Sequence, residues 1–211
     1  FGDFKLLTNQ ADFCIANMEA PLTKSNTVIE KTGPNIKVPT SFLKPLKEIG
    51  FDAVTLANNH IMDYGEDGLK STINVCEREG IRFVGAGENI IKARQPLLLN
   101  LNDRKIAIIN IAENEFCAAE TDQYGANPLN VITNHYDIQK AKKENDYVIV
   151  ISHGGREHYQ LPSPNLRERY RFFIDSGADA VVGHHTHCFS GFEYYNERPI
   201  FYSLGNFIFD Y

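Results

Sequence analysis

The sequence contains no apolar run approaching the roughly 18 residues needed to cross a bilayer, which excludes a membrane-spanning helix within it. Its first ten residues, FGDFKLLTNQ, lack both a basic segment and a following apolar stretch, which excludes a signal peptide there. Positive charge is scarce: 21 Lys and Arg stand against 27 Asp and Glu, for a net charge of -6 and a pI near 5.6. That balance argues against a nucleic-acid partner, because phosphate contacts need a basic surface. The four cysteines (Cys14, Cys76, Cys117 and Cys188) are scattered and form no CxxC pair, so no dense disulfide framework is expected. They read as buried free thiols suited to a reducing compartment, with two disulfides as the alternative. No internal repeat, low-complexity tract or linker appears, so residues 1–211 are expected to form a single domain. The chain begins without methionine and stops after an apolar strand-like run, and it reads as the core of a longer protein.

What is present is ordinary for a globular domain: 43% hydrophobic and 23% charged residues, with enough length to bury a core. Short strands are expected at 12–17, 52–57, 81–87 and 146–152. PLLLNL and KIAIINIA flank an Asn102-Asp103-Arg104 turn and predict a hairpin. Helical spacing of Leu69, Ile73 and Cys76 with a stop at Gly80 predicts a helix over 65–79 with these residues on its buried face. Thr40 and Ser41 cap a short helix ending at Gly50, and another helix is expected around 135–143. Ser163-Pro164 supplies an N-cap and a first-turn proline for a helix through Asp175. DAVVG, FSGFEYY and PIFYSLGNF complete the strands. Residues 113–134 read as an irregular polar loop, a candidate part of an active site. Alternating strands and helices interrupted by two hairpins predict an α/β layered fold with a mixed sheet covered by helices.

The chemistry-bearing residues fall at strand ends. DFCIAN runs into Glu19, DAVTLA into Asn58-Asn59-His60 with Asp63 beyond, DYVIVIS into His153-Gly154-Gly155-Arg156-Glu157, and DAVVG into His184-His185-Thr186-His187. Carboxyl ends of neighbouring strands are where α/β sheets place their sites. Imidazole, carboxylate and amide oxygen together suit zinc, manganese or iron. Each residue alone has a plainer reading. Glu19 can cap a loop, Asn59 can form a turn, His153 can be a satisfied strand-end histidine, and 184–187 can be a surface loop. Four strand ends with the same chemistry favour a metal site. His135 and His158 lack such context and read as structural or peripheral.

These stretches carry a resemblance. NMEAPLT (17–23), TLANNHIMDYGEDGL (55–69), FVGAGEN (83–89), ISHGGREH (151–158), DSGADAVVGHHTH (175–187) and PIFYSLGNFIFD (199–210) resemble the CapA family of poly-γ-glutamate capsule biosynthesis proteins. That family is a branch of the calcineurin-like metallophosphoesterases. The resemblance spans nearly the whole chain and implies a metallophosphoesterase-like fold with two divalent transition-metal ions (Mn, Zn or Fe). By motif it implies metal ligands at Glu19, Asn59, His153, His185 and His187, with His60 as an acid. In such a mechanism Asp63 is placed to orient His60, and Arg156 reads either as a donor that steadies a phosphate oxygen or as a surface arginine. Glu157 and Asn206 match family positions without an assigned role. Relatives open with a strand ending in Gly-Asp that serves the metal site. Here Gly2-Asp3 follows only Phe1 and leads into a helical stretch, so the first strand is expected to be missing and Asp3 not to replace its aspartate. A C-terminal extension is expected to be missing as well.

Three functions follow as expectations: phosphoester hydrolysis by metal-activated water, hydrolysis of γ-glutamyl amide bonds, or a non-catalytic subunit of a polymer synthesis or export assembly. The expected substrate is a phosphoester or polyanionic polymer, without nucleic acid and without membrane contact in this segment. Location stays open between the cytoplasm, which unpaired thiols favour, and the cell surface, where many relatives are tethered.

Overall fold

The computed structural model describes residues 2–209, with side chains from residue 4 onward. Asp3 therefore lies outside the described side chains; the backbone of Gly2–Thr8 is helical (α1). Contacts divide the chain into two compact units, Phe1–Gln95 with Asn114–Pro128, and Pro96–Glu113 with Leu129–Tyr211.

The first unit is built on a three-stranded parallel sheet of β1 (Ile15–Asn17), β2 (Ala53–Thr55) and β3 (Arg82–Val84), in that order. Helix α2 (Leu43–Glu48) packs against α3 (Gly65–Glu79), which in turn packs on β3. Helix α3 ends where expected because Gly80 takes φ 67 and returns its N–H to the Cys76 and Glu77 carbonyls. The buried face of α3 is Leu69, Thr72, Val75 and Cys76, a stripe rotated from the anticipated Leu69, Ile73 and Cys76. Thr72 explains the rotation: its hydroxyl accepts the Leu22 N–H at 2.8 Å, while Ser71 donates to the Leu22 carbonyl. The chain just after Glu19 is thereby tied to α3. The stretch IRFVGAG is not one strand: Gly85 at φ 95 breaks it, and β4 (Ala86–Gly87) turns aside. After β4 comes the short α4 (Ile90–Ala93).

The second unit opens with a hairpin of β5 (Leu97–Leu101) and β6 (Arg104–Ala112). Its turn is Asn102-Asp103 alone, both left-handed at φ 51 and φ 60, and Arg104 already belongs to the strand. Residues 114–128 lie in the first unit, where β7 (Gly125–Ala126) pairs antiparallel with β4. Helix α5 (Val131–Glu144) begins earlier than expected because Asn130 caps it, accepting the Thr133 N–H at 3.0 Å. Then follow β8 (Tyr147–His153), α6 (Pro164–Asp175), β9 (Ala180–His184), β10 (Phe192–Tyr195) and β11 (Arg198–Phe201). The Ser163 hydroxyl caps α6 through the Leu166 N–H, as the sequence predicts.

These strands form one mixed sheet in the order β10-β11-β9-β8-β6-β5, parallel at its centre with antiparallel edges. Register lines up Ile109, Val150, Val181 and Ile200 across one face, and each is at most 2% exposed. Helices α5 and α6 cover this face with Ile138, Leu166, Tyr170 and Phe173. Each such buried side chain contributes about 1.5–3 kcal/mol, so this layer is a main support of the unit. The other face carries Ile108, Asn110, Ala112, Ile151 and His153, all buried.

Candidate metal centre

In the first unit the parallel pairing of β1 with β2 brings two loops to one sheet edge. Asn58, fully buried, joins them: its amide donates to the Met18 carbonyl at 2.8 Å and its oxygen accepts the His60 N–H at 3.1 Å. Glu19 is half-buried and accepts from Asn17 at 3.0 Å, and Asn17 accepts from the Thr55 hydroxyl at 3.2 Å. Asn59 and His60, which follow Asn58 in sequence, are buried at 9% and 8% exposure. His60 Nδ1 lies 2.7 Å from Asp63 Oδ2, which also accepts the Ile36 N–H at 2.8 Å. A carboxylate can only accept, so Nδ1 carries the proton and Nε2 is left for other chemistry.

Sequence reasoning missed Lys31. Its ammonium forms a salt bridge with the other Asp63 oxygen and lies 3.1 Å from His60 Nδ1. The side chains of Lys31 and Asp63 are 3% and 0% exposed. Nothing in the polar stretch around Lys31 marks it as different from a surface lysine; only the fold of the loop brings it in.

In the second unit β8 ends on His153 and β9 on His184, and the two are register partners. Burial pushes the His184 imidazole down to about 4, so it is neutral near pH 7. His153 Nε2 lies 3.2 Å from His185 Nδ1. Ligand-type atoms of Glu157, His185 and His187 all fall within 4.8 Å of one another. His187 also meets Asn206 Oδ1 at 3.0 Å through Nδ1. Glu157 and Asn206, which had no role in the sequence, thus stand in contact with the histidines.

The backbone here is unusual. His185, His187 and His158 take φ 96, φ 56 and φ 58, a region that costs side-chain-bearing residues on the order of 1–3 kcal/mol. The His158 N–H donates to the Thr186 carbonyl at 2.8 Å, which ties the two bends together. The His158 ring lies 5.8 Å from that of His187, so His158 borders the cluster. His135 instead bonds Ser176 and stacks on Phe172, a structural role as expected. Arg156 is exposed and sits over the Tyr159 ring at 4.9 Å. Both line a cavity of about 500 Å³ that Gly155, Leu161, Ser163 and Thr186 also border.

The donor set suits a metal. Two nitrogens 3.2 Å apart, each at the roughly 2.0–2.1 Å of a metal–imidazole bond, subtend about 100° at a shared ion, near the tetrahedral angle. Imidazoles with a carboxylate match zinc, manganese or iron. All four cysteines are free thiols, and none belongs to the cluster.

The family described as "Bacterial capsule synthesis protein PGA_cap" matches residues 1–211. The chain is 36% identical over 210 residues to "Capsule biosynthesis protein CapA" of Bacillus anthracis, covering 95% of this chain and 51% of that protein. It is 34% identical over 205 residues to "PGA biosynthesis protein CapA" of Bacillus subtilis, covering 95% of this chain and 54% of that one. The chain thus spans about half the length of these curated relatives. Among solved structures, a novel phosphatase from Mycoplasma pneumoniae aligns with a TM-score of 0.59 at 18% identity, covering 97% of this chain and 66% of that one. A hypothetical protein from Thermus thermophilus aligns with a TM-score of 0.56 at 15% identity, covering 96% and 68%. With its mixed sheet and helices on a phosphoesterase-like fold, the chain belongs to the bacterial capsule synthesis protein PGA_cap family, the CapA family.

Proposed function

We propose that the chain is the core of a metal-dependent phosphoester hydrolase acting in capsule polymer biosynthesis. Two divalent transition-metal ions would be held by Glu19, Asn59, His153, His185 and His187. The observation that carries this reading is the 3.2 Å approach of His153 to His185 at the ends of adjacent structural elements, next to a second carboxylate-histidine group. Bound metal supplies acidified water and charge for a phosphoryl oxygen.

The chain's own residues do the rest. As the acid, His60 would act in its imidazolium form, giving the Nε2 proton to the leaving oxygen and returning to the neutral ring whose Nδ1 proton stays on the Asp63 hydrogen bond. Asp63 is itself held by Lys31 and the Ile36 N–H, so the ring keeps one orientation. Arg156, at the rim of the cavity, steadies a phosphate oxygen through its fork of donors.

The names of the relatives, which print capsule and PGA biosynthesis, favour a second reading: hydrolysis of γ-glutamyl amide bonds, since activated water attacks either centre. A third, a non-catalytic subunit of a synthesis or export assembly, keeps the fold without turnover. A panel of phosphoesters and γ-glutamyl peptides, run on metal-loaded protein with its natural flanking sequence, separates them. Turnover of phosphoesters alone supports the proposal. Turnover of γ-glutamyl peptides alone replaces it, and no turnover of either points to the subunit.

A further inference from the structure

We infer that Glu113 is a positioning residue that locks the His153-Gly154-Gly155 loop, and through it the aim of His153. Its bearing on metal binding rests on the reading proposed above. Strand β6 ends at Ala112, the register partner of His153, and the next N–H, that of Glu113, donates to the His153 carbonyl at 2.9 Å. The Glu113 side chain therefore emerges beside the loop. Its Oε2 accepts the Gly155 N–H at 3.0 Å, and its Oε1 accepts Arg169 Nη1 at 2.7 Å from α6. One carboxylate thus joins β6, the loop and α6.

Both glycines of the loop follow from this contact. A Cβ on Gly154 would lie 2.5 Å from Glu113 Cγ and 2.6 Å from its Cδ, so a side chain there and the carboxylate arm compete for one space. Arg169 and the Gly155 N–H hold the far end of that arm, so it has little freedom to swing away. Gly155 takes φ 116, which aims its N–H at the carboxylate and which L side chains rarely adopt. From the opposite side the Gly154 N–H donates to the His184 carbonyl at 3.2 Å. With both N–H groups engaged, the loop has one conformation, the one that sets His153 against His185. Supporting partners of this kind typically govern metal affinity by 10–100-fold.

The test uses Mn²⁺ and Zn²⁺ titration calorimetry on the metal-free chain, with Glu113→Ala, Glu113→Gln, Gly154→Ala and the double variant Glu113→Ala/Gly154→Ala. Glu113→Ala and Gly154→Ala should each weaken binding by about 10–100-fold. Glu113→Gln, whose amide oxygen still accepts from Gly155, should stay within about threefold. The methyl of Gly154→Ala has nothing to strike once Glu113 is truncated, so the double variant should be little worse than Glu113→Ala alone. Unchanged affinity in Glu113→Ala, or a Gly154→Ala effect of equal size in both backgrounds, overturns the inference. Amide exchange at Gly155 in the metal-free protein gives an independent reading. It should be slow in the parent and in Glu113→Gln, and faster in Glu113→Ala. If the parent binds no metal, the hydrolase reading falls while Gly155 exchange still decides whether Glu113 holds the loop. Equal exchange in all variants rejects that hold.

Discussion

His153 Nε2 and His185 Nδ1 lie 3.2 Å apart although 32 positions separate them in the chain. The contact exists because β8 and β9 are parallel and in register to their last residues, His153 and His184. Two imidazoles at that distance either share a proton or share a cation. On the proposed reading, elemental analysis of the purified protein should find bound transition metal, about two equivalents if two ions are held. His185→Ala should lose most of it, and with it any metal-dependent hydrolysis. An unchanged metal content in that variant would remove His185 from the ligand set.

The Lys31–Asp63 pair is buried on both sides. Replacing Lys31 by methionine leaves a carboxylate in the interior without its counter-charge, which costs about 3–5 kcal/mol when a buried pair is broken. Urea unfolding of Lys31→Met should show a midpoint well below that of the parent with an unchanged slope. The double variant Lys31→Met/Asp63→Asn should recover part of the loss, because the uncompensated charge is gone. Equal midpoints for parent and Lys31→Met would mean that water reaches Asp63.

Acid should weaken the second unit at a defined place. Arg171 grips Glu193 with two hydrogen bonds of 2.9 and 2.6 Å, and Tyr202 adds a third, holding the carboxyl at about 2 against an ordinary value of 4.5. A depressed carboxyl stabilises the fold above its unfolded value, and the gain disappears as pH falls from about 4.5 to about 2. Stability of the parent should therefore drop more steeply across that window than stability of Glu193→Gln. Parallel curves would show that the partly exposed pair is screened by solvent.

Burial pushes the Cys76 and Cys117 thiols up to about 12 and about 11. Few thiolates form at pH 8, and both side chains are shielded, so neither should react in the native state. Cys14 and Cys188 are only partly buried. Brief treatment with iodoacetamide followed by peptide mass spectrometry should find label at Cys14 and Cys188 first. Label at Cys76 before unfolding would contradict the packing of α3.

Local signals account for what was readable. Ser163 and Pro164 start α6 at the expected residue, because a cap and a fixed φ act within one turn. Asn102-Asp103 makes a hairpin wherever two strands flank it, for the same reason. The ligand-type residues were legible because each follows an apolar strand. Where local signals were weak, the sequence misled. IRFVGAG looks like one strand until Gly85 bends it, and the start of α5 depends on Asn130, a cap that resembles any loop asparagine.

The sequence by itself thus determined the alternating elements, most of their ends and the chemistry waiting at four strand ends. Tertiary structure alone decided the division into two compact units, the burial of Lys31 on Asp63, the closure of Glu113 over Gly154 and the approach of His153 to His185. The physical reason is range. Caps, turns and hydrophobic periodicity act over a few residues, whereas a buried ion pair or a pair of facing imidazoles exists only after distant segments have packed and water has left.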